Sequence, residues 1–516
     1  MRITKLIDDK LEVIQSKKIF SISLVILVGL VFRVYFTPWE LPTSSSDSFI
    51  LMIEGLSYST GDFSNFNYRF LWPGFLSIFF EIFRFDDYFG YMTIVRIISI
   101  GVSLTTIPIL YLVSKEFVKE KYAIIATVLF TIDSNLVENS IFGQTEPLFI
   151  LFGLTSFYFI LQKNFKCQLL AFIFAGLSLD IRINGIVLFL LLIFALSIKI
   201  KHKEEYLKTL IIGVALFLTI STPAYILYPA IHNEEILPFL STVIITILDG
   251  QTHYSTYESS TNVSSEEIIL NGIKNEILHI FRISIPYLIL FFPIGIIVSF
   301  KNIDFKKKML FAVIIISLII AIPQYTVSNE FRNLFFLTPF LCIFSVIGIQ
   351  KLTENIEIRN LFLILFIAGL ILLSANFLRE RYDIDKEYFV EKDNFGKYIV
   401  NNFEGNITGN MRLEIIRNMP NLKVDSVHYN DKLAFYEPGI TMDSISQLIK
   451  YSKENDINYL IIDEPKFQKH FPIFNQILID KNTYEYLEEV LDSRNLGYKK
   501  LNVKIFKINW EHYNEL

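Results

Sequence analysis

Residues 122–162 read YAIIATVLFT IDSNLVENSI FGQTEPLFIL FGLTSFYFIL Q. Two apolar runs, near 122–138 and 145–162, approach the ~20 residues that a helix needs to cross a bilayer. Where they meet, Asp133, Glu138 and Glu146 follow one another with no basic residue between them. Working outward, comparable runs lie near 19–36, 91–113, 168–181, 184–200, 208–229, 278–300, 309–325, 334–350 and 360–378. A soluble core cannot hide so many, so the pattern predicts a mainly α, polytopic transmembrane bundle of about eleven spans.

Composition agrees and excludes other classes. Charged residues are 19 % of the chain, below the ~25 % of an ordinary soluble domain. Mean hydropathy is +0.44. A net charge of −5 gives no basic field for nucleic acid. The 2 cysteines, Cys167 and Cys342, sit beside or inside apolar runs and form neither CxxC nor a disulfide framework. The long runs show no β-barrel alternation.

Lysines set the orientation. Alternate loops hold Lys115, Lys119 and Lys121; Lys163 and Lys166; Lys199, Lys201, Lys203 and Lys208; Lys301 and Lys306–Lys308; then Lys351 and Arg359. The positive-inside rule places these loops, and the basic N-terminal segment 1–18, in the cytoplasm. The first run, with no small-residue cleavage site after it, reads as an uncleaved anchor. Outer loops 37–90 and 230–277 and a tail from 383 to 516 then face outward, in a multi-pass protein of the plasma membrane. The triplets beginning at Asn262 and Asn406 fall on that side. The tail alternates helix-like stretches (388–402, 443–453, 474–491) with β-rich ones (422–428, 458–462, 503–508), which suggests a small extracytoplasmic α/β domain. It has no GxGxxG or P-loop, and reads as a lid, an acceptor platform or a stabilising cap.

Ionisable residues at the outer ends of spans call for a reason. Asp47 and Glu54 are seven residues apart and would share one helical face; Asp47 could also simply cap that helix. Glu146 precedes Pro147 at the start of a span, where a helix N-terminus favours a carboxylate. Together with Asp133 and Glu138 it makes an acidic outer rim larger than capping requires. Arg33, Arg69, Arg96, Arg182, Arg282 and Arg332 also lie toward the outer ends, some of them as lipid-headgroup anchors. Arginine suits bidentate phosphate binding. The combination suggests a phosphate-bearing, partly lipidic ligand and acid–base chemistry.

In order and topology, residues 15–380 resemble the GT-C class of membrane glycosyltransferases, in the branch of protein O-mannosyltransferases and lipid A aminoarabinose transferases. The matching features are Asp47 in the first outer loop; Tyr68-Arg69-Phe-Leu-Trp-Pro73-Gly74; a span containing Arg96; Thr145-Glu146; the segment Gly176 to Gly185 with Arg182; and Glu330-Phe-Arg332 running to Pro339. The departures are Ser48 after Asp47, Glu at 146, no WWDYG-like motif, and a tail unlike the repeats of eukaryotic O-mannosyltransferases. The missing motif argues against an oligosaccharyltransferase.

The resemblance implies transfer of a sugar, mannose-like, from a polyprenyl- or dolichyl-phosphate donor to a hydroxyl of a glycan, lipid or protein at the outer face. Asp47 is the implied base and Glu146 its helper. Arg182, Arg332, Arg69 and Arg96 would hold the donor phosphate, while Glu54, Asp133 and Glu138 form the acidic rim toward the acceptor. No cofactor is expected, although a divalent ion on Asp47 and Glu146 is left open. Two rivals are a transporter or flippase of lipid-linked sugars, which should carry polar residues at mid-membrane and repeat symmetry, and a receptor with an outer sensor domain.

Overall fold

Each of the eleven apolar runs is helical in the computed structural model, as backbone must be where lipid offers its amides no partner. The structure describes residues 18–41, 46–64, 66–200, 205–232, 235, 265–301, 303–327, 331–354, 356, 359–419, 427–429, 433–436, 444–463, 472–479 and 484–515. The basic segment before Lys18, most of residues 230–277 with Asn262, and Glu330 lie outside them.

Helix α1 (Lys18–Phe36) leads to two helices within residues 37–90, α2 (Ser46–Ser59) and α3 (Leu71–Ile82). Then follow α4 (Tyr88–Lys115), α5 (Glu120–Thr131), α6 (Ser134–Ile141), α7 (Glu146–Leu161), α8 (Phe165–Ile181), α9 (Ile186–Ile200) and α10 (Glu205–His232). Next among the described elements come α11 (Ser265–Ser284), α12 (Leu288–Phe300), α13 (Phe305–Val327), a 3-10 segment (Phe331–Leu337), α14 (Thr338–Thr353) and α15 (Arg359–Asn402). Leu290, Ile297, Ile319, Leu365 and Leu372 are each more than 60 % exposed, which makes sense only against hydrocarbon.

Two expected spans are bent. The run at 122–138 divides into α5 and α6, which meet at 54°. Asp133 causes the break: its carboxylate accepts from Leu136 N at 3.0 Å and caps α6, a local bond that competes with helix continuation. The carbonyls freed at the end of α5 are all answered. Leu129 O accepts from Tyr287 Oη at 2.6 Å, Thr131 O from Arg33 at 3.1 Å, and Ile132 O from Ser374 Oγ. The run at 278–300 divides at Ile285–Tyr287, where α11 and α12 meet at 110°; Pro286 has no amide proton to continue the ladder.

Among the described residues, five helices are long and apolar enough to cross a membrane, or up to seven if each bent pair is one span. Three shorter apolar helices, Leu71–Ile82, Glu146–Leu161 and Ile183–Lys199, accompany them. The eleven expected crossings therefore do not map one to one onto long helices. Backbones meet closely inside the bundle. A Cβ at Gly295 of α12 would collide with the Phe344 carbonyl of α14, the small-residue contact by which membrane helices gain dispersion energy.

The last helix differs from expectation. α15 is 44 residues long and runs through position 383, so the last apolar run and the first helix-like stretch of the tail are one rod. The tail carries a mixed six-stranded sheet in the order β2-β3-β1-β4-β6-β5, formed by β1 (Gly405–Gly409), β2 (Val427–Tyr429), β3 (Leu433–Tyr436), β4 (Ile457–Asp463), β5 (Leu487–Asp492) and β6 (Val503–Ile508). β1 is parallel to both β3 and β4, and β6 is antiparallel to β4 and β5. The stretch 474–491, expected as helix, splits into a helix at Pro472–Ile479 and strand β5; Leu487 and Asp492 are buried while Glu488 is exposed, an environment that a helical reading of the charges missed. Lys392 of α15 reaches Glu414 at 3.1 Å and Asp463 at 3.7 Å, and Arg417 pairs with Asp393 at 3.0 Å. These pairs fasten strand β4 and the 412–417 segment to the rod.

Candidate active site

Asp47 lies in the first turn of α2, where the helix N-terminus favours its charge. Its half-exposed carboxylate forms an ion pair with Arg332. Arg332 belongs to the 3-10 segment between α13 and α14, in which successive side chains diverge by about 120°. The next residue, Asn333, therefore points elsewhere and accepts from Arg182 Nη2 at 2.7 Å.

Arg182 follows the last residue of α8 in extended conformation (φ −147°, ψ 138°), which frees its side chain from the helix surface. Its Nη1 donates to Glu146 Oε1 at 2.5 Å and to Thr145 Oγ1 at 3.2 Å. Glu146 is buried at the start of α7, and among the described residues its second oxygen has no hydrogen-bond partner. The turn after Arg182 is held tightly: a Cβ on Gly185 would stand 2.5 Å from the Leu179 amide nitrogen. Asn184 accepts from Gln324 at 2.8 Å. A cavity of about 20 Å³ lined by Asn184, Ser317 and Asn333 lies alongside, room for about one water.

Asp47 and Glu146, far apart in sequence, are thus joined through Arg332, Asn333 and Arg182. Asn333 was not singled out by its sequence; its adjacency to Arg332 was the available signal. Two carboxylates and two guanidiniums neutralise one another here, and an anionic ligand can enter by exchanging with a carboxylate at either arginine.

The other candidates go elsewhere. Arg96 is buried and donates to the carbonyls of Pro38 at 3.1 Å and Leu41 at 2.6 Å, so it ties down the connection between α1 and α2 and does not join the Asp47–Glu146 set. Arg33 likewise serves the α5 break and Ser103. Exposed Arg69 lies over the Tyr68 ring at 5.3 Å. The expected acidic rim does not form as one open surface. Asp133 is wholly buried as a cap, Glu138 pairs with Arg381 of α15 at 2.8 Å, and Glu54 is buried near Asn67 and Arg69. Helical periodicity put Asp47 and Glu54 on one face, but they meet different partners, Arg332 for Asp47 and Asn67 with Arg69 for Glu54.

Burial pushes the Glu54 carboxyl up from its ordinary 4.5 to about 7, against the hydrogen bond of Asn67 and the charge of Arg69. A raised folded-state value means that the folded chain keeps a proton which the unfolded chain has lost. Stability therefore falls as pH rises from 4.5 to 7 and is level above, by about 3 kcal/mol in all. Glu54→Gln should remove this slope. Denaturation in micelles between pH 4 and 8.5 checks it, and parallel pH profiles of the two proteins would refute the burial argument.

Residues 70–222 match the family described as dolichyl-phosphate-mannose-protein mannosyltransferase. No curated protein sequence matches the chain significantly. Among solved structures, ArnT from Cupriavidus metallidurans bound to undecaprenyl phosphate is similar with a TM-score of 0.60 at 12 % identity, over 94 % of this chain and 97 % of that one. The oligosaccharyltransferase of Archaeoglobus fulgidus in complex with zinc and sulfate is similar with a TM-score of 0.55 at 13 % identity, over 86 % of this chain and 68 % of that one. The same archaeal enzyme, AglB, with an inhibitory peptide and a dolichol-phosphate gives 0.52 at 10 % identity, over 86 % and 69 %. These likenesses show the fold, that of the polytopic GT-C glycosyltransferases.

Proposed function

We propose that this chain, a polytopic membrane protein with the GT-C fold, transfers a sugar from a polyprenyl- or dolichyl-phosphate donor to an acceptor hydroxyl at the outer membrane face. One observation carries the reading: two acidic positions, Asp47 and Glu146, each meet an arginine, and those arginines are linked through the consecutive residues Arg332 and Asn333. The family matched by residues 70–222 suggests mannose as the sugar. The dolichol-phosphate and undecaprenyl phosphate in the similar structures support a lipid-phosphate donor. Lysine distribution supports a cytoplasmic N-terminus and an outward tail.

The donor is a phosphodiester. Its phosphate takes Arg332 and Arg182 as partners, which releases Asp47 from its ion pair. Asp47 then accepts the proton of the acceptor hydroxyl while that oxygen bonds to the anomeric carbon. The carbon–oxygen bond to phosphate breaks, and its electron pair leaves on the lipid phosphate. The transition state is oxocarbenium-like, and the arginines stabilise charge that grows on the leaving oxygen. Glu146 holds Arg182 in place. Among the described residues no three His, Cys, Asp or Glu gather as metal ligands, and Asp47 and Glu146 each already meet a guanidinium. Asp47 and Glu146 are the oxygen donors that would hold a divalent ion, which would add charge stabilisation at the donor phosphate, and no step runs through one.

The test is transfer by the purified full chain in proteoliposomes, from polyprenyl-phosphate mannose and its glucose counterpart, to a panel of peptide and glycoside acceptors. Glycosidic product from at least one pair is expected. Facilitated movement of the intact donor across the bilayer without product would favour a flippase.

A further inference from the structure

The cavity beside the Asp47–Glu146 centre is small, and its walls are unequal. Phe149, Val187 and Leu334 contribute apolar surface, while Asn184, Ser317 and Asn333 are the polar side chains among its lining residues. These three come from separate segments: the 3-10 turn Ile183–Gly185 after α8, the middle of α13, and the 3-10 segment Phe331–Leu337. At about 20 Å³ the cavity has room for about one water and no larger group. A cavity lined only by hydrocarbon stays dry, whereas one that offers two to four polar partners holds its water.

The bonds already made decide what each side chain offers the cavity. Asn333 Oδ1 accepts from Arg182 Nη2 at 2.7 Å, so the donor that Asn333 can offer elsewhere is Nδ2. Asn184 Oδ1 accepts from Gln324 Nε2 at 2.8 Å, and again Nδ2 remains. Ser317 donates its hydroxyl proton to the Val313 carbonyl at 2.6 Å, which leaves the lone pairs of its Oγ as acceptors. Two donors and one acceptor match one water, which can accept twice and donate. Ser317 and Gln324 are seven residues apart on α13 and so share one face of that helix.

We infer that one water occupies this cavity, accepting from Asn184 and Asn333 and donating to Ser317, and that Asn184 and Ser317 thereby act as positioning residues for Arg182. The oxygen and nitrogen ends of an asparagine amide have nearly the same shape, so its surroundings choose between them. At Asn333 the choice matters. Oδ1 toward Arg182 is attractive, whereas Nδ2 toward a guanidinium sets donor against donor. A water that accepts from Nδ2 holds the amide in the attractive orientation. A bridging water is enthalpically nearly as good as a direct hydrogen bond, so the pose of the guanidinium depends on Asn184 and Ser317 through the water and Asn333. The kinetic consequence rests on the sugar-transfer reading, in which Arg182 holds the donor phosphate; the water itself does not.

A high-resolution cryo-electron-microscopy structure of the full chain should show a single ordered density between Asn184, Ser317 and Asn333. Ser317→Val fills the space and expels the water. Its structure should show the density gone, and its donor KM should rise about 3- to 10-fold, the worth of one neutral hydrogen bond, with kcat and acceptor KM near wild type. The Kd for polyprenyl phosphate, read by native mass spectrometry without turnover, should rise by the same factor. A serine that only packs would lower the melting temperature and leave donor KM and Kd where they were. Ser317→Ala leaves the space and the two amide donors, so the rise should be smaller; it carries the test should Ser317→Val fail to fold. The inference is overturned if the wild-type cavity is empty or holds an ion, or if the folded variants keep both donor KM and Kd. A wild type that forms no glycosidic product, yet shows the density and the shift in Kd, would overturn the transfer reading alone.

Discussion

Asp47→Asn is expected to lower kcat for transfer by about 10²–10⁴-fold, the usual contribution of a positioned general base. Asparagine has nearly the same shape but cannot take the acceptor proton. The ion pair with Arg332 adds a second signature. With the carboxylate gone, Arg332 no longer has to be drawn from Asp47 by the donor phosphate, so donor KM should stay level or fall while kcat collapses. A residue that merely capped α2 would give another pattern, with lowered thermal stability and kinetics close to wild type. Steady-state kinetics with a polyprenyl-phosphate hexose, beside a melting curve in the same detergent, separates the two. A kcat within about threefold of wild type would remove Asp47 from the chemistry.

Arg182→Ala should have the largest effect on the folded state. Glu146 is 2 % exposed, and loss of its guanidinium leaves an uncompensated carboxylate in a low-dielectric site. Breaking buried pairs in this way costs about 3–5 kcal/mol; because the Arg182 side chain is 19 % exposed, the lower end applies. The links to Thr145 and Asn333 go with it. Arg182→Lys should recover part of the stability, but a single ammonium cannot reproduce the fork that meets all three partners. Adding Glu146→Gln to Arg182→Ala should restore much of the stability, since no charge is then stranded, while transfer stays low because the donor phosphate still lacks Arg182. Denaturant titration in mixed micelles and the transfer assay give the two readouts. Recovery of both by the double variant would make the pair structural, whereas recovery of neither would contradict the electrostatic account.

The mainly helical, polytopic membrane class was legible in the sequence. It follows from local chemistry, the length of apolar runs against bilayer thickness. The same local view misjudged single residues. Arg96 and Arg332 look alike as arginines near outer helix ends, yet one is buried on the carbonyls of Pro38 and Leu41 and the other meets Asp47. Asp133 and Glu146 both begin helices, yet one closes a helix break and the other receives Arg182.

By itself, then, the sequence determined what does not depend on long-range contact: that segments of this length and hydropathy must be helical in lipid, and that charge at their outer ends must be answered there. Only the tertiary structure decided which charge answers which. Asp47 and Glu146 are 99 positions apart in the chain, and what joins them is a 3-10 segment still farther along, whose side chains diverge at Arg332 and Asn333. Such a pairing is set by how α2, α7, α8 and the 3-10 segment pack, and packing arises from the sum of many weak apolar contacts spread over the whole bundle.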